Sequence, residues 1–356
     1  MSRYRVIQWA TGAMGKTCLK AIIEHPGVEL AGLYVYGDHK VGRDAGEIAR
    51  RPLTGVIATN DAQAILALDA DVVVHAARLA PPYGSHDEEL IRLLESGKNV
   101  ISINGYSHPE HWQGKRLERL QAACRKGGVS LMNAGLNPGF IAEQIAVVAT
   151  GICSEIDSIE VIESVSSREV QQPAYVFDVL GFGSDVAAIN PNDESWGPAS
   201  SLNGMYEEVI GVVAARLGMK LDRVEQDHCA FGATEDLHVM AGKVPKGTVS
   251  HLNWKWHGIV DGERKITHSI HWYMETAHLD EATPPLWRVK IHGKPGVRIS
   301  VDVENRPTEK ERTSAEQFAV AGAVINAIPV ACAAPPGVIM RPIATPFRAD
   351  FAQLRA

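Results

Sequence analysis

Residues 8–15 read QWATGAMG, that is Gln8, Trp9, Ala10, Thr11, Gly12, Ala13, Met14 and Gly15. An apolar run, YRVI, precedes them and a helix-like segment, KTCLKAIIEH, follows. Two glycines at this spacing, at a strand-to-helix corner, suit a phosphate cradle. Gly12 would let backbone approach a pyrophosphate with no Cβ in the way. Gly15 would let the helix pack on the strand, and the helix N-terminus would offer free N–H groups. Ala10, Thr11, Gly12, Ala13, Met14 and Gly15 are therefore the expected cofactor-binding turn. Ala10 stands where G-x-G-x-x-G has its first glycine, which costs little if its φ stays negative. An ordinary tight turn offers the same glycines, so the surrounding elements must decide.

Further candidates follow the later strand-like runs. The second run ends YVYGDHKVGRDAG, with Tyr36 at its tip and no acid there to hold ribose hydroxyls. His39, Lys40 and Arg43 follow and suit a 2′-phosphate, which leans the reading to NADP(H) with NAD(H) open; a solvated basic loop is the alternative. HAARLAPP supplies Ala76 and Ala77, small enough for a cofactor to lie close, and Arg78 for a phosphate, a carboxylate or a surface ion pair. Asn104 and Tyr106 follow the next run. Tyr106 is the expected proton donor, with a packed loop tyrosine as the plain alternative. In GLNPGF, Asn137 and Pro138 are expected at the nicotinamide and Phe140 at a pocket wall, although Asn-Pro-Gly is also a good turn.

His251, His257, His268, His271 and His278 crowd a strand region with Trp254, Trp256 and Trp272. No metal is expected, because no ligand pair has helix or knuckle spacing, and His268 and His271 fall on opposite strand faces. A polar, aromatic sheet face at a subunit interface or pocket is expected instead.

The elements that must position these residues alternate. Strand-like runs at Arg5–Trp9, Glu29–Tyr36, Asp71–Ala76, Asn99–Ile103 and Val129–Met132 are separated by helix-like segments. Several runs are apolar throughout, as in strands covered on both faces. That rhythm predicts an α/β fold, an N-terminal Rossmann doubly wound parallel sheet. Beyond about residue 150 a mixed α+β domain with a largely antiparallel sheet is expected, its Asp261-Gly262 pair a hairpin turn. A helix is expected over 205–218, and another over 314–327 with its capping box at Thr313–Glu316. The expected domains are 1–145, dinucleotide-binding; 146–312, substrate-binding and dimerising; and 313–356, a C-terminal helix and tail packing back on the first.

The 356 residues are 45% hydrophobic and 22% charged, an ordinary globular balance. A net charge of −7 argues against nucleic acid or an anionic membrane as main partner. No run of about 18 apolar residues suggests a span, and the N-terminus lacks signal-peptide anatomy. Five cysteines, an odd count with no C-x-x-C pair, fit a reducing cytoplasm. A small-molecule substrate is the expected partner.

QWATGAMG, KVGRDAGEI, GKNVIS, GLNPGF and GFG, in that order, resemble the dihydrodipicolinate-reductase-like oxidoreductases. The branch is that of 2,4-diaminopentanoate dehydrogenase and the native amine dehydrogenases, and the resemblance runs over nearly the whole chain. It implies a nicotinamide cofactor between two domains, a homodimer formed through the second domain's sheet, and hydride transfer at a carbon bearing nitrogen, in either direction. It places Ser166, Tyr175 and Phe182 of GFG over the substrate. Two departures stand out. The His-rich segment and Ser-Gly-Thr anion loop of dihydrodipicolinate reductase itself are missing. The acid that the amine dehydrogenases carry after the strand matching GKNVIS is also missing: Asn104, Gly105 and Tyr106 stand there, with Glu110 farther on and Glu163 elsewhere. Without that acid, reduction of a preformed imine, a ketone or an enone asks less of the protein. A nucleotide-binding sensor or scaffold is the alternative.

Overall fold

Short β-branched runs bounded by glycine and asparagine form the first strands, as their composition favours. The structure, a computed structural model, describes residues 3–107 and 114–350. In chain order β1 (Tyr4–Trp9), α1 (Ala13–Glu24), β2 (Val28–Tyr34), α2 (Ala45–Ala49), α3 (Ala62–Leu66), β3 (Val72–His75), α4 (Asp87–Glu95), β4 (Asn99–Ser102), α5 (Gly114–Gly127) and β5 (Ser130–Asn133) come first. Then follow α6 (Val147–Ala149), β6 (Glu155–Ser166), α7 (Gly197–Arg216), β7 (Arg223–Gln226), β8 (Cys229–Gly232), β9 (Leu237–Val239), β10 (Gly242–Val244), β11 (Val249–Val260), β12 (Glu263–Tyr273), β13 (Trp287–Lys294) and β14 (Val297–Val301). The chain ends in α8 (Ala315–Ala333) and β15 (Gly337–Ile339).

The chain divides into two compact units. One takes the residues up to Leu79, Gly84–Phe140 and Val303–Pro342; the other takes Ala80–Tyr83, Ile141–Asp302 and Ile343 onward. The first unit holds a six-stranded sheet in the order β15-β5-β4-β3-β1-β2, every pair parallel. Register sets Trp9 beside His75 and His75 beside Ser102, so the segments after β1, β3 and β4 leave from one end of the sheet. Strand order reverses at β1, the switch point where such sheets open a crevice. Leu90, Leu93 and Leu94 of α4 pack on one sheet face, with Val73, Val100 and Leu131. On the other face Cys18 and Ile22 of α1 join Val324, Ile325 and Ile328 of α8 over Val6, Val74 and Ile101.

The second unit is a mixed sheet in the order β14-β13-β6-β12-β11-β7, with β8 also on β11. Only β6 and β12 run parallel; the other pairs are antiparallel. Asp261 and Gly262 turn the β11–β12 hairpin at φ 52° and 76°, the left-handed pair an Asp-Gly turn requires.

Four local expectations shift. α7 starts at Gly197, well before residue 205: Pro198 lies in its first turn, where a missing N–H costs nothing, so GPASSLNG is helix rather than loop. The cap of α8 is Ser314, whose hydroxyl accepts from Gln317 N; Thr313 lies one residue too early. α8 also runs through Pro329 to Ala333 instead of stopping at 327. By length and a mean hydropathy of 1.4 it could cross a bilayer, yet it lies against α1 and the parallel sheet with Ala321, Val324 and Ile328 buried.

Candidate active site

Trp9 ends β1, and the backbone turns at Ala10 with φ 71°. The condition of a negative φ is therefore not met: Ala10 holds the left-handed conformation that a glycine adopts freely. Ala10 N donates to Tyr34 O at 3.0 Å, and the Gln8 amide donates to Ala10 O at 2.9 Å, which fix the turn. A Cβ on Gly15 would lie 2.3 Å from Ala10 O, so only glycine lets α1 sit this close to the strand end. A Cβ on Gly12 would meet nothing within 4 Å. Gly12 is thus not required by the fold; its bare side leaves room for another molecule. Among the described residues no side chain caps α1 and no acid lies in its first turn, so Ala13, Met14 and Gly15 present unspent N–H groups beside that room. These features fit a dinucleotide pyrophosphate.

The loop after β2 leans over this turn. Lys40 donates to both the carbonyl and the hydroxyl of Thr11, while His39 and Arg43 are exposed nearby in sequence. Burial, then the neighbouring Lys16 and Arg43, lower the Lys40 ammonium pKa. Cations that depress one another's charge favour an arriving anion.

Tyr36, half-exposed at the tip of β2, reaches a carboxylate that the sequence reading passed over. Its hydroxyl meets Glu89 of α4 at 2.7 and 2.9 Å and accepts from the Trp9 indole at 3.0 Å. His75 Nε2 lies 2.7 Å and His86 Nδ1 3.6 Å from Glu89 Oε1. Burial opposes the charge on Glu89, yet hydrogen bonds from His75, His86 and Tyr36 bring its carboxyl down to about 2. The Glu89 partnership raises the His86 pKa, while burial lowers that of His75. His75, His86 and Glu89 are also the one trio with metal-ligand proximity among the described residues, their ligand atoms within 4.8 Å of one another. The signal for this pair in SHDEEL is the i,i+3 spacing of His86 and Glu89 in the first turn of α4, where the helix dipole also favours acids.

After β3, Ala76 and Ala77 are buried and Arg78 is exposed, its carbonyl 2.9 Å from His86 Nε2. Asn104 ties two strand tips: its side-chain amide donates to Ala77 O at 2.8 Å, and its backbone N donates to the Ser102 hydroxyl. Residues 103–107, which follow β4, contain no carboxylate.

Tyr106 has φ 78° and is 2% exposed. Its hydroxyl donates to Asp87 at 2.8 Å, Asp87 is also clamped by Arg116, and that guanidinium lies over the Tyr106 ring. Burial, then the Asp87 charge, raise its pKa well above that of an ordinary tyrosine. This hydroxyl lies inside the unit and is bonded to Asp87, an arrangement that favours the packed-tyrosine alternative over the proton donor. Glu110, the nearest substitute acid in sequence, lies outside the described residues.

After β5, Asn137 and Pro138 stay extended and Gly139 takes φ 123°, a conformation that only glycine adopts readily. Phe140 is exposed at the start of the next helical turns.

In the second unit Ser166 ends β6, exposed, and Tyr175 is partly exposed on a short helical turn. Phe182 is 1% exposed between Gly181 and Gly183, both at positive φ. Glu163 accepts from the Trp287 indole at 2.9 Å. The crowded histidines are largely interior. Trp256 stacks on Tyr206 of α7, Trp254 and His268 are buried with it, and His251 meets His271 at 2.9 Å. Burial lowers His251 and His268 to about 3. His251, His257 and His268 lie in the unit's own core, while His271 and His278, partly buried, line a small pocket beside Asp280 and Arg288.

A family model for the N-terminal part of dihydrodipicolinate reductase matches residues 6–82, which span β1 to the loop after β3. An amine dehydrogenase from Streptomyces virginiae is 29% identical over 348 residues, 93% of each chain. A 4-hydroxy-tetrahydrodipicolinate reductase from Chromobacterium violaceum is 30% identical over 251 residues, 65% of this chain and 87% of that protein. Among solved structures, an amine dehydrogenase from Mycobacterium smegmatis shares the fold with a TM-score of 0.75 at 18% identity, over 95% of both chains. A glycine turn open at Gly12, at the switch point of a parallel sheet, together with these matches, means that the chain belongs to the dihydrodipicolinate-reductase-like oxidoreductases.

Proposed function

We propose that this protein is an NAD(P)H-dependent oxidoreductase that transfers hydride at a carbon bearing nitrogen, that it reduces a preformed imine, and that NADP(H) is its preferred cofactor. The observation that carries the reading is the turn itself, with unspent N–H donors, an open side at Gly12 and Lys40 fixed on Thr11. When bound, the nicotinamide supplies the hydride. The α1 N-terminus holds the pyrophosphate, and Lys40 with His39 and Arg43 suits a 2′-phosphate. Likeness to the Streptomyces amine dehydrogenase over 93% of the chain supports the carbon–nitrogen chemistry.

Asn104 narrows the direction. An amide that donates to Ala77 O cannot take a proton from an ammonium or activate ammonia. A protonated imine needs neither: hydride adds to its carbon, the C=N electron pair returns to nitrogen, and a neutral amine leaves. The same reading takes the enzyme as a cytoplasmic homodimer acting on a small molecule, supported by five free thiols and a net charge of −7.

The test compares NADPH and NADH oxidation with a stable cyclic imine, with a ketone plus ammonia, and with the ketone or an enone alone. Fastest turnover on the imine with NADPH is the expected result. Cofactor binding without even a single turnover on any of them would leave the sensor or scaffold reading in its place.

A further inference from the structure

A cavity of about 670 Å³ opens beside α1, between the C-terminal end of α2 and the start of α8. Six cationic side chains line it: Lys16, Lys20, Arg50, Arg51, Lys310 and Arg312. The one carboxylate in the lining is Glu311. In a chain where 42 acids outnumber 35 bases, that is a strong local reversal of charge. Glu311 is already engaged with Lys20 and Arg51, and Arg51 also pairs with Glu24. Lys16, Arg50, Lys310 and Arg312 have no ion-pair partner among the described residues. Like charges brought this close raise the free energy of the unliganded protein, and an anion of matching charge relieves it.

Arg50 adds a separate observation. It is the C-cap of α2 at φ 57° and ψ 50°, where glycine or asparagine is the unstrained choice. The backbone there cannot relax away, since Asp44 accepts from Gly46 N, Thr54 N and Gly55 N and so ties the loop on both sides of Arg50. The strained position delivers a guanidinium to the cavity wall. Strain kept at a cavity lined by one sign of charge points to a ligand.

We infer that this cavity is a second anion site, reaching from the Ala13 edge of the cofactor turn toward α2 and α8, which takes a small molecule bearing two or more phosphate or carboxylate groups. Its volume suits such a ligand. The planar guanidiniums of Arg50 and Arg312 give two-point contacts, and the lysines add point charges. Ala13 of the glycine turn itself lines the cavity and Lys16 follows it on α1, so occupancy of the site would be felt at the cofactor's phosphates.

The experiment titrates tripolyphosphate and citrate separately into the full-length protein by calorimetry, with and without saturating NADPH, at two salt concentrations. The expected result is one equivalent bound, weakened by salt and retained with NADPH present. The stronger of the two probes identifies the ligand chemistry. Arg50→Gly should weaken binding about tenfold while raising the melting temperature, because it removes the charge and the strain together. A paired Lys310→Ala/Arg312→Ala variant should weaken binding without that rise. No saturable binding at millimolar probe, binding unchanged in both variants, or displacement by NADPH would each overturn the site. None of these outcomes bears on imine reduction, which is read by turnover.

Discussion

The Lys40 ammonium rests on Thr11, donating to its carbonyl oxygen at 2.9 Å and to its hydroxyl at 3.0 Å. A cation is thereby held by the very turn that faces the cofactor phosphates. Lys40→Ala should weaken NADPH binding about tenfold or more, and NADH binding less, because one charge-assisted contact is worth about 1.5–3 kcal/mol. Fluorescence titration with each cofactor checks this. Equal loss for both would mean that Lys40 serves the turn and not the 2′-phosphate.

The two glycines of the turn should separate fold from binding. Gly12→Ala places a methyl in open space, so its melting curve should match the parent while cofactor affinity falls. Gly15→Ala drives a methyl against Ala10 O and should cost about 2–3 kcal/mol in urea unfolding.

Ala10→Gly should stabilise the protein by about 0.5–1 kcal/mol, since a residue at φ 71° loses its Cβ penalty. A differential melting shift reads it. A melting point that falls would show that the Ala10 methyl, buried in the α4-side core, contributes more than its strain costs.

Tyr106→Phe should leave turnover within about twofold and cost about 1 kcal/mol of stability, as Asp87 loses one donor but keeps Arg116. A large fall in kcat with unchanged stability would restore the tyrosine as the proton donor.

Glu89→Gln tests the cluster at the tip of β2. The folded-state pKa of Glu89 is depressed from 4.5 to about 2, so its charge stabilises the fold above about pH 4.5 and ceases to do so as pH falls toward 2. The variant should be less stable than the parent at pH 7, by about 1 kcal/mol. The gap should narrow at pH 4 and below. A gap independent of pH would mean that shape, and not charge, is what Glu89 contributes.

The strand-helix alternation was legible because several strand runs are nearly continuously apolar and several helix-like segments stop at glycine. The glycine turn was legible for the same reason, since its position between Trp9 and Lys16 is local. Contacts across the sheet were not. Nothing in SHDEEL says that Glu89 will lie under Tyr36, because that pairing depends on how α4 lies on the sheet. Tyr106 read as a free hydroxyl only because its partners, Asp87 and Arg116, come from two other helices. Ala10 misled differently: alanine announces negative φ, and the tertiary bonds from Gln8 and to Tyr34 override it. Phe182 was placed by family likeness alone, and its burial was not legible in GFG.

β15 joins the edge of β5, and α8 covers one face of the same parallel sheet, although both come from the far end of the chain. A ribosome therefore delivers five strands of that sheet, and then most of the second unit, before the helix that shields Val6, Val74 and Ile101 exists. During synthesis the nascent unit must keep an apolar face and a bare strand edge out of contact with other chains.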